Sequence, residues 1–541
     1  MLKRFKTLTL NRFSFIIALF YACVFNVPLF NVIKHGIDKQ PDVDPLFIAS
    51  MPLFLTLALS FVFSLFTVKY LVKPFFILLT LLSSSVFFAA LKYNVVFDYG
   101  MIENTFQTNA AEAMMYVNWA SILNMLLTGL LPAYLIYKAD IQYQPFLKEL
   151  LHKIVFMLAM LAGLGLIAFV YFQDYAAFGR NNTQIKRYIV PTYFVGAAAK
   201  YINNQYLQKP LEYQNLGLDA KDVSPNANSK PNLLVLVVGE TARSMNVEYY
   251  GYDRPTNAHT KGMGLIAFMD TRSCGSATAV SLPCMFSRMG REDYDARRAY
   301  AQDTAIDVLN HAGIKVKWLD NDSGCKGVCD QVDNITIDLH SDPKLCTGEY
   351  CYDQVLLNQL DNELANAQSK NTVIVLHIIG SHGPTYYLRY PLEHRHFVPD
   401  CPRSDIQNCS AEELMNTYDN TILYTDYILS EVVNKLKNQQ DKFDTAMLYL
   451  SDHGESLGEK GMYLHGAPYS IAPIEQISVP MLAWVSEDFS HDNHLDMACL
   501  ADEASKGGFS HDNLFDSLLG LMNVQTQDYQ QPLDIFARCR R

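Results

Sequence analysis

Positive charge is in short supply. Lysine and arginine total 43 against 55 aspartates and glutamates, a formal net charge of −12. That balance argues against a nucleic-acid partner, which would require a basic face; beyond this, an acidic excess speaks mainly of solubility. Cysteine is almost missing from the first half, where Cys23 stands alone until Cys274. Charge of either sign is thin in the first third, which is nearly continuously apolar. The apolar stretch near the start lacks a small-residue cleavage site, and more apolar stretches come after it, so it reads as an anchor and not as a signal peptide. A chain of 541 residues is too long for one ordinary core, so at least two domains are expected.

Five segments have the length and apolarity to cross a bilayer, which takes roughly 20 residues: about Phe13–Ile33, Leu46–Val68, Leu71–Leu91, Val117–Tyr137 and Ile154–Phe172. Lys3, Arg4, Lys6 and Arg12 precede the first. Lys69 and Lys73 lie between the second and third, and Lys138, Lys148 and Lys153 follow the fourth. The other two loops hold acids instead: Asp38, Asp42 and Asp44 in one, Asp98, Glu103 and Glu112 in the other. The positive-inside rule makes the amino terminus cytoplasmic. Five spans then carry everything after about Gln173 to the far side.

Cysteine usage agrees. Cys274, Cys284, Cys325, Cys329, Cys346, Cys351, Cys401, Cys409, Cys499 and Cys539 all lie in that later part. An even number at close spacing reads as a disulfide framework in an oxidising compartment. Neighbour pairing gives 274–284, 325–329, 346–351, 401–409 and then 499–539, although connectivity is open at this level. The rival use of Cys325 and Cys329 is a zinc site with another pair.

In the outward loop Asn94–Tyr116, Asn104, Thr108 and Glu112 recur every four residues, so on a helix they share one face. That face is either merely solvated or a head-group contact. Tyr175–Glu212 mixes aromatics with Arg180, Lys186, Arg187 and Lys200, the pattern of interfacial helices. Asp219–Pro231 reads as a final loop. The expected domains are thus residues 1–173 with five helices, 174–231 as interfacial helices and linker, and 232–541 as a soluble catalytic domain.

From Asn232 onward, apolar runs at Leu233–Val238, Lys315–Leu319, Val373–Ile379, Ala446–Leu450 and Met481–Val485 alternate with helical stretches at Ala301–Ala312, Asp353–Ala367 and Ala411–Asn438. The alternation predicts a mostly parallel sheet with helices on both faces. The strand ends carry chemistry. Glu240 follows the first run, Gly380-Ser381-His382 the third, and Ser451-Asp452-His453-Gly454 the fourth; His465-Gly466 comes shortly after. Sites in open α/β sheets lie beyond the carboxyl ends of strands. Asp452 and His453, being adjacent, can share a ligand only where the chain has left the strand, and Gly454 suits such a bend.

Each residue alone has a duller use. Glu240 suits a helix start, Thr278 and Asp452 suit helix caps, and His382 and His465 suit turns. Convergence on one rim changes the reading, because the chain has only 14 histidines. Carboxylate and imidazole ligands suit zinc, and a hydroxyl beside zinc becomes a nucleophile. That set points to phosphoryl-type transfer through a covalent intermediate.

The segments VVGETARSMNVEYYGYDRPT, SATAVSLPCMFSRM, NDSGCKGVCD, HIIGSHGPTYYLRYP and YLSDHGESLGEKGMYLHGAPYSIAP resemble those of the phosphoethanolamine–lipid A transferases, and the match is especially close to the mobile colistin-resistance members. The resemblance covers the whole chain. It implies an alkaline phosphatase-like (sulfatase-like) soluble domain beside the five spans, in a multi-pass protein of the bacterial inner membrane with its catalytic domain in the periplasm. It implies Zn2+ held by Glu240, Thr278, Asp452 and His453, with Thr278 as nucleophile and a second ion possible during turnover. Lys326, His382 and His465 match residues that hold the transferred phosphoethanolamine or a second metal. Asn104, Thr108, Glu112 and Ser323 match positions tied to the lipid substrate. A Cys325–Cys329 bridge would clamp the loop bearing Lys326. Phosphatidylethanolamine would be the donor and a lipid A phosphate the acceptor, with polymyxin resistance the phenotype and a monomer the expected state. Two alternatives stand beside this: a phosphoglycerol transferase of the lipoteichoic acid type, and a metal-stabilised sensor ectodomain without turnover. A sulfatase activity lacks its Cys-x-Pro-x-Arg, since Ala277-Thr278-Ala279 occupy that place.

Overall fold

The computed structural model describes residues 7–37, 44–172, 174–175, 178, 183–209, 211–224, 230–367 and 370–540. Lys3, Arg4, Lys6, Asp38, Asp42, Gln173 and Arg180 lie outside them, as does the side chain of Glu112. Two compact units emerge. The first comprises Met1–Tyr99 and Val117–Lys200; the second comprises Gly100–Tyr116 and Tyr201–Arg541. The loop between the third and fourth expected spans therefore belongs with the second unit, and the expected linker divides at Lys200.

The first unit is helical: α1 (Leu10–Phe20), α2 (Val27–Ile37), α3 (Pro45–Leu65), α4 (Val72–Tyr93); then, beyond the short helices α5 (Tyr99–Gln107) and α6 (Ala110–Met115), α7 (Trp119–Lys138), α8 (Phe146–Val170) and α9 (Thr192–Ile202). Among the described residues four helices are long and apolar enough to cross a membrane, or five if the bent α1–α2 pair is one span. The expected first span is therefore not one straight helix, for it turns by 53° between Phe25 and Val27. Pro28 cannot donate a backbone hydrogen bond, and its ring displaces the carbonyl four residues back. Asn26 braces the bend. Its Nδ2 donates to the carbonyls of Tyr21 (2.9 Å) and Val190 (2.8 Å), and its Oδ1 accepts from the Val190 N–H (3.0 Å).

The second unit is built on a seven-stranded sheet of β1 (Asn232–Gly239), β2 (Ile266–Ala267), β3 (Lys315–Asp320), β4 (Asp333–Thr336), β5 (Thr372–His377), β6 (Asp444–Ser451) and β7 (Met481–Val485). The order is β2-β7-β6-β1-β5-β3-β4. The pairs from β6 to β4 are parallel, while β7 runs antiparallel to β6 and β2. The five expected strands are present, the last of them inverted. The short edge strands β2 and β4 are not legible in the sequence, because two to four residues are too few to show a periodicity.

β1 shows why the sheet forms. Leu234, Leu236 and Val238 enter one apolar cluster with Phe286, Trp318 and Leu518. Leu233, Val235 and Val237 enter another with Leu356, Leu360, Ile428 and Val432. Alternate side chains point to opposite faces, and both faces are covered, so the strand reads as one unbroken apolar run. The helices α10 (Thr278–Phe286) and α11 (Ala305–His311) cover the first face; α12 (Gln354–Ala365) and α13 (Ala411–Lys437) cover the second. Five disulfides staple the connections: Cys274–Cys284, Cys325–Cys329, Cys346–Cys351, Cys401–Cys409 and Cys499–Cys539. With both thiols so consumed, Cys325 and Cys329 are not zinc ligands.

Candidate functional site

β6, β1 and β5 are neighbours in the sheet, so the segments beyond their carboxyl ends meet at one rim. Glu240 comes directly after β1, Asp452 and His453 directly after β6, and His382 lies in the turn after β5. The Asp452 N–H still pairs with the Gly239 carbonyl (2.9 Å). Beyond it the chain leaves the sheet, and one ligand atom each from Glu240, Asp452 and His453 lies within 4.8 Å of the others. All three are fully buried.

Thr278 completes the group. It is the first residue of α10, and the cap before it is Ala277, which makes no side-chain cap hydrogen bond. The threonine hydroxyl is therefore not spent on capping. It donates to Glu240 Oε2 (3.1 Å) and lies 3.3 Å from His453 Nε2. The amino end of α10 adds partial positive charge where an attacked phosphate would gain negative charge.

His453 is oriented by its own chain. Nδ1 sits 2.9 Å from the Gly454 carbonyl, which can only accept, so Nδ1 carries the hydrogen and Nε2 presents its lone pair. Burial, reinforced by His465, lowers its pKa to about 4 and keeps the ring neutral. Asp452 is held by the N–H groups of Thr241 (3.1 Å) and His453 (2.7 Å) at Oδ1, while the buried Oδ2 makes no hydrogen bond to any described residue. Burial, and for Glu240 the charge of Asp452, raises these acids, Glu240 to about 7 and Asp452 to about 6. Two buried carboxylates, one orphaned oxygen, an imidazole lone pair and a hydroxyl form a donor set that fits a divalent zinc-type ion.

His382 and His465 flank this group. The His453 and His465 rings are 4.4 Å apart between centroids, and those of His382 and His465 are 5.7 Å apart. His465 Nδ1 lies 3.3 Å from Glu455 Oε1, and burial pushes Glu455 up to about 8. Lys326 and Ser323 are brought together, the ammonium donating to the Ser323 carbonyl (3.0 Å) and hydroxyl (2.8 Å). The Cys325–Cys329 bridge encloses Lys326, whose φ is +49°.

Gly100–Tyr116 packs on the same rim. Met115 Sδ accepts from Thr385 Oγ1 (3.3 Å) and an Arg389 guanidinium N–H (3.0 Å). Met101 Sδ would lie 3.2 Å from a Cβ placed on Gly466, next to His465. The expected continuous stripe of Asn104, Thr108 and Glu112 is interrupted, however, because the helix stops between α5 and α6 at Thr108 and Asn109. The Thr108 hydroxyl donates to the Asn104 carbonyl (2.8 Å), which weakens the helical ladder there.

Some site residues escape notice in the sequence. His511 is buried; its Nδ1 accepts the Cys274 N–H (3.0 Å), and its Nε2 donates to the Ser451 carbonyl (2.9 Å). It thereby ties the end of β6 to the loop that leads into Thr278. Ser281 adds a second tie from α10 to the Asp452 carbonyl. His377, the last residue of β5, pairs through Nδ1 with Asp320 (2.9 Å) at the end of β3. Burial lowers its pKa, but the charge and hydrogen bond of Asp320, with Asp322 and Glu240 nearby, outweigh this and lift it to about 9.

A domain with this sheet and acids beyond its strand ends is of the sulfatase class, and a family model described as Sulfatase matches residues 232–524. A second, described as Phosphoethanolamine transferase EptA/EptB, matches residues 55–206. The chain is 39% identical over 548 residues to phosphoethanolamine transferase EptA of Escherichia coli (strain K12), covering 100% of each. It is 34% identical over 524 residues to phosphatidylethanolamine transferase Mcr-2 of Escherichia coli, covering 94% of each. The structure of the integral membrane lipooligosaccharide phosphoethanolamine transferase A (EptA) of Neisseria meningitidis superimposes with a TM-score of 0.94 at 38% identity, covering 98% of both chains. This chain belongs to the EptA-type phosphoethanolamine transferase family.

Proposed function

We propose that the protein transfers phosphoethanolamine from phosphatidylethanolamine to a phosphate of lipid A, with Thr278 as the nucleophile. The observation that carries this is the uncapped Thr278 hydroxyl, placed against both Glu240 Oε2 and His453 Nε2. Glu240, Thr278, Asp452 and His453 would hold one zinc ion. Zinc supplies Lewis acidity there, lowering the pKa of the threonine hydroxyl and neutralising phosphoryl charge.

The chain's own residues do the rest. Thr278 Oγ, already deprotonated, forms a bond to the donor phosphorus as the bond to the diacylglycerol oxygen breaks. His382 or His465 gives that oxygen its proton. A lipid A phosphate oxygen then attacks the phosphoethanolamine ester on Thr278, its proton returning to that histidine, and the bond from phosphorus to Thr278 Oγ breaks to give back the deprotonated threonine that began the cycle. The N–H groups that open α10, with Lys326 and the imidazolium form of the histidine that retains its proton, stabilise the charge gathered on phosphorus. Asn104, Thr108, Glu112 and Ser323 are assigned to lipid contact. The site would face the periplasm, with a cytoplasmic amino terminus as the lysine-bearing loops require, and the protein would act as a monomer. Replacing phosphate charge with a cationic amine weakens binding of polycationic peptides, so polymyxin tolerance is the expected phenotype.

Mass spectrometry of lipid A from cells expressing the protein tests this. A phosphoethanolamine increment with wild type and none with Thr278→Ala is expected. No increment with wild type refutes the activity; an equal increment in the variant refutes the nucleophile.

A further inference from the structure

Beside the proposed zinc cage lies a second cluster, which shares Glu240 with it and whose Asp322 and His377 the proposed transfer chemistry does not use. One ligand atom each from Glu240, Asp322 and His377 lies within 4.8 Å of the others. Glu240 and His377 are fully buried, and the Asp322 side chain is 5% exposed.

His377 is set up as a ligand. Its Nδ1 pairs with Asp320 Oδ2 at 2.9 Å. Asp320 is itself fixed, accepting from Trp318 Nε1 (2.9 Å) at Oδ2 and from the N–H groups of Asp322 and Gly324 (3.1 Å each) at Oδ1. A carboxylate on one imidazole nitrogen is the usual support of a histidine that gives its other nitrogen to a metal. Here that other nitrogen, Nε2, is buried and makes no hydrogen bond to any described residue. The Asp322 Oδ2 oxygen stands 3.9 Å from it, too far for a hydrogen bond. Asp322 Oδ2 accepts the Ser323 hydroxyl at 3.0 Å, and the Lys326 ammonium is directed to Ser323.

We propose that Glu240, Asp322 and His377 form a second divalent-cation site, which shares Glu240 with the first. Two carboxylates and one imidazole suit zinc or manganese, and three protein ligands leave a position open for a phosphate oxygen. Paired cations on either side of Glu240 would hold the transferred phosphoryl group from two directions. This site differs from the His382–His465 pair, which lies beside His453. The proposal rests on the reading of Glu240 as a cage ligand.

The test is zinc stoichiometry of the full-length protein in detergent. The protein is stripped with chelator, titrated with Zn2+ by calorimetry and checked by elemental analysis; manganese is titrated in parallel. Wild type is expected to bind two equivalents. Asp322→Asn and His377→Gln should each weaken one of them at least tenfold and leave the other, while Asp452→Asn should remove the complementary one. Circular dichroism establishes that each variant is folded. Anomalous scattering at the zinc edge from wild-type crystals, which needs no variant, should place a peak among the three ligand atoms. A single equivalent unaffected by Asp322→Asn and His377→Gln overturns the site, and a proton on His377 then balances the carboxylates. A second peak between His382 and His465 instead also overturns it. Zinc binding indifferent to Asp452→Asn would refute the cage itself, a separate failure.

Discussion

Replacing Gly454 with alanine should disturb the proposed zinc cage without removing any of its proposed ligands. Gly454 does not occupy the left-handed region of backbone space, so the bend expected of it is not what requires glycine. Close approach does. A Cβ there would collide with the Glu475 carbonyl oxygen and stand 3.2 Å from Arg243 Cβ. Ordinary carbon–oxygen contact begins near 3.3 Å, so the backbones must part by roughly 1 Å. Two hydrogen bonds oppose that movement: Gly454 N–H to the Gln476 carbonyl (3.0 Å), and His453 Nδ1 to the Gly454 carbonyl (2.9 Å). Weakening both at about 0.5–1.5 kcal/mol each, with overpacking strain of about 1–3 kcal/mol, destabilises the protein by roughly 2–6 kcal/mol. The second bond also fixes the imidazole tautomer, and losing such support typically costs about 10–100-fold in metal affinity. Chelator competition for zinc, with thermal unfolding in the presence and absence of chelator, measures both. Gly454→Ala that keeps zinc affinity within threefold and unfolds at the wild-type temperature would refute the reasoning.

Thr278→Ala should lower phosphoethanolamine transfer by about 10³-fold or more, whereas Thr278→Ser, which keeps the hydroxyl but loses the β-branched restraint, should stay within about tenfold to a hundredfold; transfer to a fluorescent lipid analogue reads both. Burial holds His511 neutral in the fold, its pKa lowered from 6.5 to about 3. The unfolded chain then binds the extra proton between those values, so stability present above pH 6.5 is lost as pH falls, with a slope near 1.4 kcal/mol per pH unit from this group. Denaturant unfolding across that window should show a shallower acid slope for His511→Asn, and an unchanged slope counts against its neutral burial. Opening Cys499–Cys539, whose partners are 40 residues apart, by replacing both with serine should cost about 4 kcal/mol in the chain-entropy account, read from denaturant midpoints.

Legible and hidden features of the sequence have the same physical origin. Strands covered on both faces read as unbroken apolar runs, so β1, β3, β5, β6 and β7 stand out, and polar residues just past their ends stand out with them. Glu240, Asp452 and His453 are visible on that account. His377 is not, because VIVLHII reads as one more buried run and its single imidazole has no periodic partner. Asp320 is hidden too, since its pairing with His377 is a cross-strand contact spanning 57 positions. His511 lies 60 residues from Ser451 and sits in a polar turn that resembles any cap. Asn26 vanishes for the opposite reason, as one amide in a long apolar stretch whose need for a partner only the packed Val190 backbone reveals.

The second unit is interrupted in sequence: Gly100–Tyr116 is part of it, although 84 residues separate that stretch from Tyr201. Phe106 stacks on Tyr201 at 5.0 Å, Gln107 donates to the Tyr300 hydroxyl (2.9 Å), and Met115 meets Thr385 and Arg389 across 270 or more positions. A fragment begun at residue 201 is therefore not the whole second unit but that unit with a piece of its wall removed, beside the loops of His382 and His465. During synthesis the same piece emerges early and waits for partners made much later. Kinetic constants measured on such a fragment describe a more open vessel than the whole chain builds, and adding back a peptide of residues 100–116 is the direct way to weigh the difference.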